Sequence, residues 1–138
     1  MKLIKLKLDG AYSIELDKKE DSRGFFARIW CREEFSLFNI NTKIAQINNS
    51  MNKKKGTLSG LHFQRPPKAE AKIVRCISGA IWDVIVDLRK NSPTFGKWYG
   101  KELNSNNKSM MYVPEGFAHG FQTLINNTEI LYIHTESY

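Results

Sequence analysis

The sequence predicts an all-β fold, a jelly roll with very little helix, built as a single domain over residues 1–138. Short segments rich in Ile, Val, Tyr, Phe and Trp recur along the chain, as is typical of strands. Turn signals such as Ser78-Gly79 and Asn91-Ser92-Pro93 separate these segments at short intervals. Among all-β architectures a jelly roll is favoured, because it closes most sheet edges and leaves an open mouth for a ligand.

In the first half of the chain, strands are predicted over residues 3–8, 12–16 and 44–50. Residues 3–8 alternate Leu and Lys before a turn at Asp9-Gly10. Residues 17–24 form a charged loop, in which Asp21 and Arg23 are either a surface ion pair or an anion-binding corner. The only predicted helix is short, at residues 31–38, and the Asn- and Lys-rich residues 48–56 are predicted to form a loop.

The second half of the chain carries six further predicted strands, at residues 72–76, 80–88, 98–103, 109–113, 120–125 and 129–134. Between the halves lies Gly56–Pro67, a glycine-bounded segment with His62 on a predicted strand edge. Val113–Phe121 is similar, because its histidine, His119, also lies among glycines and aromatics. Glycine and proline fix the backbone beside each histidine, which suits a rigid site.

Composition narrows the possible partners. The net charge is +7, but the lysines are scattered, which favours attraction to a small anionic substrate over nucleic-acid binding. Cys31 and Cys76 lie far apart and form no CxxC motif, so we expect free thiols in a reducing cytoplasm. The N-terminus has no apolar run long enough for a signal peptide or a membrane span, so no membrane partner is expected.

A metal site is not favoured by the histidine spacing. Metal sites in β-barrels commonly use a close histidine pair, but the residue two positions after His62 is Gln64. The remaining histidine, His134, lies near the C-terminus. The three histidines could still converge from separate strands to form a metal site. We predict that no metal is bound.

Acid–base chemistry fits the residues better. The ordinary pKa of a histidine lies close to neutral pH, which suits His62 to act as a general base. Strand alternation points Tyr132 the same way as Ile130 and His134, and a phenol is a good proton donor to a carbanion. Lys72 enters an apolar strand, where its charge is costly unless it faces an anion such as an enolate. Each residue alone is more often structural, so the hypothesis rests on their occurring together.

Five blocks of the chain closely resemble the dTDP-4-dehydrorhamnose 3,5-epimerase family. They are Asp21–Phe26, Ser59–Gln64, Ala71–Cys76, Asp83–Gly96 and Val113–Phe121. The resemblance covers nearly the whole chain and implies a cupin-type jelly roll, usually a homodimer in which N-terminal strands pair across subunits. It also implies an epimerase without metal or cofactor, acting at C3, C5 or both of a nucleotide-diphospho-4-keto-6-deoxy sugar in deoxysugar and surface polysaccharide biosynthesis.

The resemblance also implies roles for particular residues. His62 matches the family's base and Tyr132 its proton donor. Lys72 matches the residue that stabilises the enolate, and His119 matches a substrate-contacting histidine. The implied contacts to the nucleotide sugar are Arg23, Gln46 and Asn48, with Tyr138 stacking on the base.

The chain departs from the family at three points. Ser59 replaces an arginine that would grip a phosphate, and Arg28 replaces a glutamate, so Arg28 is a candidate for the lost phosphate contact. Family members also continue past the position of Tyr138, with an aspartate that pairs with the catalytic histidine. We therefore expect a short member in which either Asp83, the nearest candidate on a neighbouring strand, orients His62 or His62 is a weaker base. A non-catalytic nucleotide-sugar-binding cupin and a 3,4-ketoisomerase remain alternatives.

Overall fold

The computed structural model describes all residues from 1 to 138 and consists of twelve strands and one short helix. The elements are β1 (Lys2–Lys5), β2 (Tyr12–Glu15), β3 (Lys19–Asp21), β4 (Gly24–Phe26), α1 (Arg32–Ser36), β5 (Gln46–Asn52), β6 (Leu58–His62), β7 (Lys72–Ser78), β8 (Ala80–Asp87), β9 (Trp98–Asn104), β10 (Met110–Val113), β11 (Phe117–Thr123) and β12 (Thr128–His134). No helix is long and apolar enough to cross a bilayer.

The strands form two main antiparallel sheets. The six-stranded sheet has the order β1-β2-β10-β7-β12-β5, and the four-stranded sheet has the order β6-β11-β8-β9. Strands β3 and β4 make a separate hairpin. Since strands far apart in sequence are neighbours in each sheet, this is the predicted all-β jelly roll, and that prediction is confirmed.

The main core lies between the two sheets. Val74 and Ile130 of the six-stranded sheet and Ile85 and Phe121 of the four-stranded sheet belong to one cluster of twelve buried residues. Burial of a large aliphatic or aromatic side chain contributes about 1.5–3 kcal/mol, so this layer supplies most of the hydrophobic stabilisation. Because residues of both sheets belong to it, this core also fixes the position of one sheet relative to the other.

A second core covers the outer face of the six-stranded sheet. Phe35 of α1 is fully buried against a cluster that includes Ile73, Tyr112 and Ile133. Both faces of β7 and β12 are therefore covered, which explains why Lys72 to Val74 are buried without interruption. Along β12, Ile130 belongs to the inner cluster and Ile133 to the outer one, so Tyr132 faces inward as its alternation predicted.

Element boundaries differ from the predictions at several places, and residues 48–52 of the predicted 48–56 loop are part of β5. Strand β1 ends at Lys5 rather than residue 8, because the chain turns there and buries Leu8 in the main core. The predicted charged loop at residues 17–24 contains most of the β3–β4 hairpin, and β5 lies two residues later than expected. Strand β11 begins at Phe117, three residues early, directly after a turn in which Gly116 has a φ of +83°.

Asp87 anchors the loop that follows β8. Its side chain is fully buried and accepts hydrogen bonds from Arg89 Nε at 2.9 Å and Thr94 Oγ1 at 2.6 Å, and from Ser92. Burial alone would raise the pKa of Asp87, but these hydrogen bonds outweigh it and hold the pKa well below the ordinary 3.8. Because the folded-state pKa is depressed, the stabilisation is present above pH 4 and is lost as the pH falls below that value.

We expect Asp87→Ala to lower the free energy of unfolding by about 2–4 kcal/mol, since it removes the buried carboxylate that Arg89, Ser92 and Thr94 share as an acceptor. Urea unfolding at neutral pH measures this loss. Asp17→Ala is the control, because the Asp17–Lys19 pair is largely exposed and such pairs contribute little to stability. Equal losses in the two variants would contradict the anchoring role.

Candidate active site

A cavity of about 460 Å³ opens between the two sheets. Its wall comes from β5 and β12 of the six-stranded sheet, from β6 and β11 of the four-stranded sheet, and from the C-terminal residue. Six residues predicted for the site line it: Asn48, Ser59, His62, His119, Tyr132 and Tyr138. Five others complete the wall: Ile47, Asn49, Ser50, Phe121 and His134.

Two glycines bring His62 and His119 together. Strands β6 and β11 pair so that His62 lies opposite His119, and the ring centroids are 6.4 Å apart. Gly60 has a φ of +87°, and a Cβ added there would lie 2.6 Å from the His119 carbonyl oxygen. A Cβ on Gly120 would lie 2.6 Å from the Ser59 carbonyl oxygen. Only glycines permit this approach of the two strands.

The expected contact between Asp83 and His62 is not formed. Asp83 Oδ1 instead accepts a hydrogen bond of 2.6 Å from His119 Nε2, and both side chains are buried. The reason is the strand order, since β11 lies between β6 and β8 and places His119 next to Asp83. Asp83 therefore orients the substrate-contacting histidine of the resemblance, and His62 makes no side-chain hydrogen bond.

The surroundings of His62 favour its neutral form. Burial lowers the pKa of His62 below its ordinary 6.5, and the positive charge of Lys72 and the nearby His119 lower it further. A base must be unprotonated before it can remove a proton, so this environment keeps the imidazole competent at neutral and mildly acidic pH.

An NMR titration is expected to give a midpoint for His62 below pH 6.5. In the Lys72→Met variant the midpoint should rise, because a neighbouring cation that disfavours the imidazolium has been removed while burial is retained. Lys101→Met is the control, because Lys101 pairs with Glu15 away from the cavity. A wild-type midpoint at or above 6.5 would contradict this account of the site.

Tyr132 lies on the opposite sheet from His62. Its ring packs against the main core, and its hydroxyl lies 3.2 Å from Ser50 Oγ. Burial raises the pKa of Tyr132 above 10, although the Ser50 hydrogen bond acts in the other direction. The phenol is therefore protonated at neutral pH and has a proton to donate.

Lys72 lies behind the cavity wall in a buried charged cluster. Its Nζ is 3.3 Å from Glu70 Oε1, and Glu70 Oε2 accepts a hydrogen bond of 2.9 Å from His134 Nδ1. All three side chains are at most 5% exposed. Lys72 is the cross-strand partner of His134, so the pairing of β7 with β12 builds the cluster.

The mouth of the cavity holds the residues that the resemblance assigned to the nucleotide. Asn48 Nδ2 donates to Tyr138 Oη at 3.1 Å, and the Tyr138 backbone N–H donates to Gln46 Oε1 at 3.2 Å. The Tyr138 side chain is 75% exposed, so its ring is free to stack on a ligand.

Five predicted residues do not line this cavity; of these, Gln46, Lys72 and Asp83 contact residues that do, whereas Arg23 and Arg28 make only contacts elsewhere. Arg23 forms an exposed ion pair with Asp21 at 2.6 Å, on the β3–β4 hairpin. Arg28 pairs with Glu34 at 2.7 Å and lines a different cavity. Arg28 therefore lies away from any phosphate that binds in the cavity of its own chain.

Glu70, Ser50 and His134 belong to the site or its surroundings but were not predicted as site residues. For His134 a signal existed, because alternation along the strand places it on the face of Tyr132. Glu70 and Ser50 carry no such local signal, since their contacts depend on which strands pair. No three His, Cys, Asp or Glu side chains cluster closely enough to hold a metal ion, and metal independence stays a prediction.

A jelly roll with an imidazole and a phenol on opposite walls of one cavity has the groups that the class of acid–base isomerases requires. The family model described as dTDP-4-dehydrorhamnose 3,5-epimerase matches residues 5–138. The chain belongs to this family. It is 42% identical to the dTDP-4-dehydrorhamnose 3,5-epimerase of Salmonella typhimurium, over 100% of this chain and 75% of that protein.

Solved structures agree with this assignment. The dTDP-4-dehydrorhamnose 3,5-epimerase of Elizabethkingia anophelis superposes with a TM-score of 0.96 at 45% identity, over 100% of this chain and 75% of that one. The Bacillus anthracis enzyme, solved with TDP and PPi bound, superposes with a TM-score of 0.95 at 41% identity, over 99% of this chain and 78% of that one.

Proposed function

We propose that the protein epimerises a nucleotide-diphospho-4-keto-6-deoxy sugar at C3, C5 or both, with dTDP as the nucleotide. The observation that carries the proposal is that His62 and Tyr132 line one cavity from opposite sheets. A planar enolate between the sheets would meet a base on one face and a proton donor on the other.

The reaction follows from the ketone at C4, which acidifies the hydrogens on C3 and C5. His62 removes one of these protons, the electron pair of the broken C–H bond forms a C=C bond to C4, and the carbonyl π electrons move onto the C4 oxygen to give an enolate. Lys72 lies behind the cavity wall, paired with Glu70, and its positive charge would act on the oxyanion through the wall, as it does on the pKa of His62. Tyr132 then returns a proton to the opposite face, which inverts the carbon and restores the ketone.

In this proposal the nucleotide lies at the mouth of the cavity and contacts Tyr138, Asn48 and Gln46. The exposed ring of Tyr138 can stack on the face of a base. The side-chain amides of Asn48 and Gln46 beside it can hydrogen-bond to the polar edge of the base. The Bacillus anthracis relative binds TDP, which supports a thymidine diphosphate here.

We further propose a cytoplasmic homodimer. The free thiols of Cys31 and Cys76 support a reducing compartment. The β3–β4 hairpin exposes Phe26 by 78% and carries Arg23 away from the cavity of its own chain, which supports a role at the partner's cavity. Mixing His62→Ala with Arg23→Ala subunits should then restore some activity, and a monomer in sedimentation experiments would refute the dimer.

Incubation with dTDP-4-keto-6-deoxyglucose in deuterated water tests the function. Deuterium at C3 or C5 is the expected result, and a chelator should leave its rate unchanged because the mechanism uses only side chains. A ketone moved to C3 would indicate a ketoisomerase. Binding without exchange would indicate a non-catalytic module, and either result would overturn the proposal.

A further inference from the structure

A row of polar contacts follows the wall of the cavity from Lys72 to Tyr138. It runs from the Lys72 ammonium to Glu70, then to His134 Nδ1. It continues from His134 Nε2 to Asn48 Nδ2, 3.4 Å away, and from that amide to Tyr138 Oη. One end of the row, Lys72, lies behind the wall on the side of the proposed enolate, and the other end, Tyr138, is the residue proposed to hold the base.

The middle of this row is His134. Its ring lies 5.9 Å from the Tyr132 ring and 5.2 Å from the Tyr138 ring, measured between centroids. In a nucleoside-diphospho sugar, the part between the reacting sugar and the base is the diphosphate with its ribose. His134 therefore lies beside the most highly charged part of the ligand.

The hydrogen bonds of His134 determine which nitrogen is available. Nδ1 is occupied by Glu70, whose carboxylate fixes the orientation and tautomer of the ring. Nε2 has only the long contact to Asn48. With Nδ1–H on Glu70, Nε2 of the neutral ring is an acceptor, which suits the Asn48 amide. A phosphate oxygen in place of that amide would bind the doubly protonated ring, in which Nε2–H makes a charge-assisted hydrogen bond about twice as strong as a neutral one.

The electrostatics of the wall also suit an anion. None of the residues that line the cavity is acidic. The carboxylate of Glu70 lies behind the wall and is already shared between Lys72 and His134. Ser59, which lines the same cavity, offers a hydroxyl but no positive charge. Of the three histidines that line the cavity, His134 is the one whose ring lies against Tyr138, on the side proposed for the nucleotide.

We propose that His134, positioned by Glu70, is a substrate-binding residue that contacts the diphosphate of the nucleotide sugar. The inference rests on the proposed function, because it takes the ligand and its orientation from there. It assigns Glu70 as a positioning residue and His134 as the side chain that distinguishes a nucleoside diphosphate from the bare nucleoside.

Calorimetric binding of dTDP and thymidine tests the proposal. His134→Ala should weaken dTDP binding about tenfold or more and leave thymidine within about threefold, because only dTDP carries the phosphates. Glu70→Gln should weaken dTDP binding by a smaller factor and should also leave thymidine binding within about threefold. Glu136→Gln is the matched control, since it removes a carboxylate that pairs with Lys68 outside the cavity.

The outcomes separate this inference from the function on which it rests. If the wild type binds dTDP and His134→Ala does not weaken dTDP binding more than thymidine binding, the inference is wrong but the proposed function stands. Failure of the wild type to bind dTDP would overturn both. Should a variant not fold, ¹⁵N spectra of the three histidines in the wild type decide the matter. Addition of dTDP, but not of thymidine, should shift the His134 Nε2 signal, and an unmoved signal would refute the contact.

Discussion

Replacing His62 by alanine is expected to slow deuterium incorporation into the substrate by about 10²–10⁴-fold, the contribution typical of a general base. His62 makes no side-chain hydrogen bond, lines the cavity, and has a pKa held below 6.5 by burial and by Lys72. It is therefore neutral near pH 7 and free to accept a proton. Mass spectrometry of the sugar after incubation in deuterated water measures the rate.

The fold should survive this substitution, because the His62 side chain is exposed to the cavity and leaves no buried group unpaired. Thermal unfolding of the variant checks this point. His62→Gln is a second variant that retains the polarity of the side chain without its basicity. Exchange at the wild-type rate in either folded variant would remove His62 from the role of base.

Replacing Tyr132 by phenylalanine is expected to reduce inversion by about 10²–10⁴-fold while exchange falls much less. Removal of the first proton needs only the base, whereas inversion needs a donor on the other face. The ring of Tyr132 packs against the main core, so the variant loses little besides the hydroxyl and its contact to Ser50. Deuterium incorporation and product stereochemistry can be followed in the same NMR sample.

Tyr12→Phe is the matched control for this experiment. Tyr12 packs against the second core cluster, away from the cavity, and makes no side-chain hydrogen bond. Its variant should epimerise at close to the wild-type rate. If Tyr132→Phe lost exchange and inversion equally, the separate roles of base and donor would be wrong.

Strands could be predicted from the sequence where a local pattern and a turn signal coincide. Strands β8, β9 and β12 begin and end within one residue of the prediction, because β-branched and aromatic runs there are bounded by glycine, asparagine or proline. The β3–β4 hairpin was missed, since its charged strand has no apolar alternation. Its pairing depends on the turn at residues 22–23, not on burial.

The site was predicted less completely, because strand order is not a local property. Alternation places Asp83 on the inner face of β8, but it does not show that β11 separates β8 from β6. Asp83 was therefore assigned to His62, whereas the structure joins it to His119. In the same way Glu70 meets His134 only because β7 pairs with β12.

The sequence by itself determined the all-β class, the family, and the two residue types that can carry a proton to and from a carbon. These follow from periodicity, from turn residues and from motifs, all of which are properties of neighbouring positions. Only the tertiary structure decided which carboxylate orients which histidine, and that His134 belongs to the cavity wall. Hydrogen bonds act over about 3 Å. The partners of a buried group therefore depend on strand order and register, which residues distant in sequence establish together.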